Sequence, residues 1–331
     1  MTAPVEWGNK DSSRHKAKRM ESLKSLVVKP IQSAALAAGL SHRAARRMPV
    51  RRIVMLHGVG PGELEVAAFV AQMEWLARSF RVVPLDELIA GVSSGAPAAQ
   101  EVALTFDDGL RCHAEVVAPV LSRLGLPATF FVCPGLISER RWLWNHEARV
   151  RLHLLDDAQR QALAVDTGAP GAAIEPWVEW MKTLPVAARQ QVEALIRVRT
   201  PGFVPTPEQH ARFDPVSWEQ LRTLDSDLFT VGSHTSSHPI LTTLDQVELE
   251  SELRGSRDAL EQFLDKPVDL FCYPNGSQDR RVRETTASVY RAAVTTESGF
   301  VGAGEDLHDL PRFPVADTVA LLAWRMHRPQ A

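Results

Sequence analysis

From residue 53 onward, short apolar runs alternate with longer stretches whose apolar positions recur every three or four residues. That rhythm predicts repeated βα units and a largely parallel sheet. The apolar runs are residues 53–56, 102–106, 128–132, 229–233, 268–273 and 291–295, with 312–315 as a last one. Helical spacing fills residues 63–78, 113–124, 215–224, 244–264 and 280–290, and the Ser/Gly/Ala/Pro-rich stretch 93–99 reads as a loop. About seven strands with intervening helices predict an α/β fold, a distorted (β/α) barrel. One segment breaks the rhythm. Residues 140–212 carry Trp142, Trp144, Trp177 and Trp180, several helical stretches, and Pro201, Pro205 and Pro207 at the exit, and read as an inserted helical cap.

Ahead of the barrel pattern, residues 1–51 form a basic leader, expected to be disordered or a weak amphipathic helix. Through Arg52 this end holds 12 Lys or Arg against 3 Asp or Glu. Leu23, Leu26, Val27, Ile31, Leu36 and Leu40 give it modest apolar positions compatible with peripheral contact to an anionic membrane, while Pro30 interrupts any single helix. No apolar h-region marks a secretory signal, so a cytoplasmic location, free or at the membrane surface, is the expectation. The 331 residues carry a net charge of −3 overall, which gives no reason to expect nucleic acid. Cys112, Cys133 and Cys272 show no CxxC spacing, cannot all pair, and read as buried thiols.

Two clusters carry candidate chemistry. In Leu104-Thr105-Phe106-Asp107-Asp108-Gly109 an apolar strand ends in adjacent carboxylates, at the end of a parallel barrel where reaction sites form. One carboxylate can hold a cation and the other accept a proton from water, although Asp-Asp-Gly is also a good turn sequence. In Ser233-His234-Thr235-Ser236-Ser237-His238 two histidines four apart follow another strand. On one helical turn they can share a metal, with the neighbouring hydroxyls orienting the rings.

Together these motifs resemble the polysaccharide deacetylases of the NodB-homology type, carbohydrate esterase family 4, particularly the exopolysaccharide and poly-N-acetylglucosamine deacetylases. The resemblance runs over roughly residues 52–315. It also rests on Leu124-Gly125-Leu126-Pro127-Ala128-Thr129-Phe130-Phe131-Val132, Tyr273-Pro274-Asn275-Gly276, Ala292-Ala293-Val294-Thr295-Thr296 and Leu310-Pro311-Arg312. It implies that Asp108, His234 and His238 hold a divalent metal, commonly zinc, and that Asp107 is the general base. It further implies that the Tyr273 backbone N–H stabilises the oxyanion, and that the substrate is an N-acetylated polysaccharide or its precursor.

The chain departs from the family pattern in two places. The late Leu-x-His motif that usually supplies the acid is replaced by Leu310-Pro311-Arg312, and arginine stays charged near neutrality. Arg312 is therefore expected to pair with Asp107. The resemblance to poly-N-acetylglucosamine deacetylases whose early strand supplies the acid implies His57, at the end of the first strand, for that role, with His308 and His327 as weaker rivals. The usual Arg-x-Pro-Tyr motif appears as Phe271-Cys272-Tyr273-Pro274, without its arginine. Two other readings stay open: a hydrolase of a small ureide or cyclic imide, and a non-catalytic carbohydrate-binding relative.

Overall fold

The computed structural model describes residues 28–330. Its strands are β1 (Arg52–Leu56), β2 (Arg81–Val82), β3 (Glu101–Phe106), β4 (Ala128–Val132), β5 (Phe229–Ser233), β6 (Leu270–Cys272), β7 (Ala292–Ser298) and β8 (Leu310–Pro314). They lie in the order β1-β8-β7-β6-β5-β4-β3, and β1 pairs with β3 to close the ring. The result is a parallel barrel of seven strands, with the two-residue β2 added outside β3. Closure leaves the ring without a free edge. The brief β2 escaped the sequence reading because two residues carry no periodicity.

Strand alternation sorts the side chains into two cores. Val54, Leu56, Leu104, Phe106, Phe130, Val132, Val231 and Phe313 pack outward with Phe69, Met73 and Leu76 of the helix Val66–Ser79. Ile53, Ala103, Phe131, Leu270, Val294 and Leu310 cluster with Leu85, Leu88, Ile89 and Val92 of the helix Leu85–Ser93. Continuing the inward row along β3 leads through Thr105 to Asp107, so the alternation that builds the barrel also aims the first carboxylate.

Of the leader's apolar positions, Leu23, Leu26 and Val27 lie outside the described residues. Residues 28–37 are helical, and Pro30 lies within that stretch. The break comes instead at Gly39, whose φ of 68° ends one helical stretch before Leu40–Arg46 begins. Arg51 and Arg52 are buried, not part of a solvated arm: Arg52 donates to the carbonyls of Ala45 and Met326 and so ties the two ends of the barrel domain together. No helix among the described residues is long and apolar enough to cross a membrane.

Between β4 and β5 stand the helices Trp144–His153, Asp157–Thr167, Ile174–Met181, Val186–Arg199 and Pro207–Phe213. The first four share a core of Trp144, Leu152, Leu163, Trp177, Met181, Val192 and Ile196. Asp156 and Thr206 each open a helix with a reciprocal capping box.

Candidate active site and metal centre

Asp107 and Asp108 follow β3 but face different ways. Asp108 adopts φ 76° and Gly109 φ 64°, a left-handed pair that swings the second carboxylate away from the inward row. Aspartate tolerates that region better than most residues. At Gly109 a Cβ would lie 2.9 Å from the Val132 side chain, so the tight turn needs glycine there.

His234 and His238 follow β5 in an irregular segment, not on the helical turn their spacing suggested. Thr235 (φ 67°) and His238 (φ 58°) are both left-handed, which brings the imidazole centroids to 4.8 Å. The nearby hydroxyls shape this backbone instead of holding the rings. Thr235 Oγ1 accepts from the His238 N–H at 3.0 Å, Ser237 Oγ donates to Glu252, and Ser233 Oγ bonds Ser256 and Tyr290. The His234 ring is fixed by its Nδ1 donating to the Cys272 carbonyl at 2.7 Å, which leaves Nε2 as the free donor atom.

Asp108 Oδ1 lies 3.5 Å from the Nε2 atoms of both His234 and His238, and all three residues are buried. Ligands about 2.0–2.1 Å from a tetrahedral zinc ion stand roughly 3.4 Å apart, so this donor set fits such an ion closely. A second group, Asp107, His234 and Cys272, is also close together, but Arg312 already occupies Asp107 and the Cys272 sulfur. The first group is therefore the better cation site. Burial alone would raise the Asp108 carboxyl, yet the imidazoles hold it well below the usual carboxylate range. Burial and the neighbouring His234 push His238 down to about 3, so it presents a neutral nitrogen.

Arg312 is fully buried inside the barrel and grips Asp107 with both ends of its fork, at 2.8 and 2.7 Å. It also donates to Thr295 O, Thr105 Oγ1 and Cys272 Sγ. Burial would raise the Asp107 carboxyl, but the Arg312 charge and hydrogen bonds outweigh it and leave a value of about 2. Asp107 is thus a carboxylate at any pH near neutrality. Cys272 is buried in the inner apolar core, as its sequence suggested, with its sulfur at the edge of this polar cluster, and burial keeps its thiol protonated.

His57 reaches the same group from β1: its Nε2 lies 3.9 Å from Asp107 Oδ2 and its side chain is 47% exposed. The rivals are engaged elsewhere, His308 with the Tyr290 carbonyl and His327 with that of Ala323. The Tyr273 N–H is also engaged. It donates to Val294 O at 3.2 Å in the strand ladder, and the phenol donates to His308 O, so the oxyanion role expected of that amide finds its proton already in use.

Three residues support the site, of which the sequence marked only Trp144, and that as a residue of the cap. Glu252, on the helix Gln246–Leu264, accepts from the N–H groups of Ser236 and Ser237 at 2.8 and 3.0 Å and holds the histidine turn. Trp144 donates to His238 O at 3.3 Å, and His113 bonds His57 O at 3.0 Å. A cavity of about 520 Å³ is walled by Arg111, Arg140, His210, Asp214 and Trp218, and none of Asp107, Asp108, His57, His234 or His238 lines it.

Comparison with known proteins bears on this arrangement. Residues 94–293 match the profile of the polysaccharide deacetylase family. No curated protein matches. Among solved structures, the Streptococcus pyogenes deacetylase PplD is similar at 18% identity, over 84% of this chain and 99% of that one, with a TM-score of 0.58. IcaB from Ammonifex degensii is similar at 18% identity, over 84% of this chain and 98% of that one, with a TM-score of 0.57. A Bacillus cereus polysaccharide deacetylase is 20% identical over 84% of this chain and 69% of that one, with a TM-score of 0.54.

Proposed function

Because the chain belongs to the polysaccharide deacetylase family, hydrolases of non-peptide carbon–nitrogen bonds, we propose that it removes N-acetyl groups from an amino-sugar polysaccharide or its precursor, with a divalent metal, zinc by preference. The observation that carries the reading is the convergence of Asp108, His234 and His238 on one point beside an ionised, arginine-clamped Asp107. A carboxylate with two imidazole nitrogens suits zinc, which supplies Lewis-acid polarisation of a carbonyl and acidification of water.

The remaining steps belong to side chains of this chain. Asp107 takes a proton from the attacking water, and Arg312 keeps it ionised and aimed. His57, half-exposed at the mouth, protonates the amine that leaves when the C–N bond breaks. The products are acetate and a free amino sugar. The match to the polysaccharide deacetylase family is consistent with a glycan substrate.

Acetate release from N-acetylated oligosaccharides, measured beside small cyclic amides and ureides and with or without a chelator, tests this. Chelator-sensitive release from the sugars alone is expected. Turnover of the small amides alone would overturn the choice of substrate, and glycan binding without any release would reduce the protein to a binder.

A further inference from the structure

The first turn of the helix Trp144–His153 meets the cation-binding turn through Trp144. On one flank Trp144 donates to His238 O at 3.3 Å. On the other flank the His146 ring packs on Phe213 with centroids 4.8 Å apart. Phe213 ends the helix Pro207–Phe213, and the next residues run beside the catalytic turn: Arg111 N–H donates to Asp214 O at 2.8 Å and Val216 N–H to Gly109 O at 2.8 Å. His146 is thereby fixed between the His238 segment and the Asp108 segment, close enough to feel the charges of Asp108, Glu63 and His57.

Among the described residues neither ring nitrogen of His146 has a protein hydrogen-bond partner, and Nδ1 is closed off from solvent. A buried orphan N–H is rarer than an orphan acceptor, which favours the tautomer with a bare Nδ1 and the proton on Nε2. Burial lowers its pKa and keeps the ring neutral. The partly exposed edge of this neutral ring is therefore an N–H donor without a partner.

We propose that His146 is a catalytic residue contributed by the cap, whose Nε2–H donates to the acetamide oxygen of the substrate as negative charge develops there. It rests on the deacetylase reading above. The amide that the sequence offered for this task, Tyr273 N–H, is held by Val294 O, and Arg312 and His57 both face Asp107. A donor from the His238 side completes the surroundings of the oxyanion without altering the base.

The test compares wild type, His146→Ala and His146→Gln, the last retaining an N–H near the same place. Acetate release, zinc stoichiometry and acetate affinity of the zinc-loaded proteins are measured on each. For His146→Ala the expected result is a kcat lowered about 10²- to 10³-fold, the usual effect of losing one such donor, with KM little changed. Zinc stoichiometry stays that of wild type, acetate binds at least several-fold more weakly, and His146→Gln recovers part of both losses. A kcat and acetate affinity within twofold of wild type would overturn the assignment. So would loss of zinc from both variants, since His146 would then serve only the metal site. A wild type that binds acetate but releases none from any N-acetylated sugar would sink the deacetylase reading instead, while the acetate comparison still decides whether His146 is a donor.

Discussion

Arg312 and Asp107 form a fully buried, two-pronged ion pair, and neither partner tolerates the loss of the other. Removing one member of such a pair costs about 3–5 kcal/mol, since the remaining charge stays desolvated. Arg312→Met is accordingly expected to lose about that much stability in urea denaturation and, by letting Asp107 take up a proton, to lose turnover as well. Asp107→Asn should cut turnover about 10²- to 10⁴-fold, the range for a general base, while zinc stoichiometry stays at that of wild type. His234→Ala should lose both. Persistent turnover in Asp107→Asn would disprove the base assignment. The same pair sets an acid limit. The Asp107 carboxyl titrates at about 2 in the fold against an ordinary 3.8, so its contribution is complete above about pH 4 and is lost as pH falls towards 2. Acid unfolding of wild type should steepen in that window, and Asp107→Asn should lack the increment. At this scale the sequence was informative where chemistry forces residue type: paired carboxylates after an apolar strand and two nearby histidines. It was silent on the site roles of Cys272 and Trp144, which come from neighbours that the barrel brings together from distant positions.

Elements were legible where periodicity is long. The helices and most strands stand close to their expected places, because parallel strands covered on both faces read as apolar runs. Element ends were less legible, since they depend on φ and not on hydropathy. The histidine segment is the clearest case: spacing of four suggested a helical turn, whereas left-handed Thr235 and His238 bring the rings together in a loop. Such a loop needs support from outside, and Glu252 provides it with three hydrogen bonds, two to backbone N–H groups and one to Ser237 Oγ. Glu252→Ala removes no metal ligand, yet it should weaken zinc binding about 10- to 100-fold, as loss of an outer support does. Competition against a chromophoric chelator measures this. An unchanged affinity would mean that the Cys272 carbonyl and Trp144 suffice to hold the turn.

At the scale of the whole molecule, the proposed cation site joins parts of the chain that no local element connects. Asp108 comes from the end of β3, His234 and His238 from the end of β5, and the Cys272 carbonyl that orients His234 from β6. Without a cation, these strand ends bring a buried carboxylate and two buried imidazoles together, with the His238 Nδ1 lacking a partner. An ion that binds the folded chain and not the unfolded one stabilises it by RT ln(1 + [L]/Kd), about 2.7 kcal/mol at free zinc one hundred times Kd. Thermal unfolding should therefore shift upward with zinc and back with chelator, by no more than about 2–4 °C per kcal/mol, because the unfolding entropy of a chain this long is large. His234→Ala, which removes a ligand, should abolish the shift. Asp107→Asn, which leaves all three ligands in place, should keep it. An equal shift in wild type and His234→Ala would mean that zinc stabilises the fold from another site, and the triad would lose its claim to the metal.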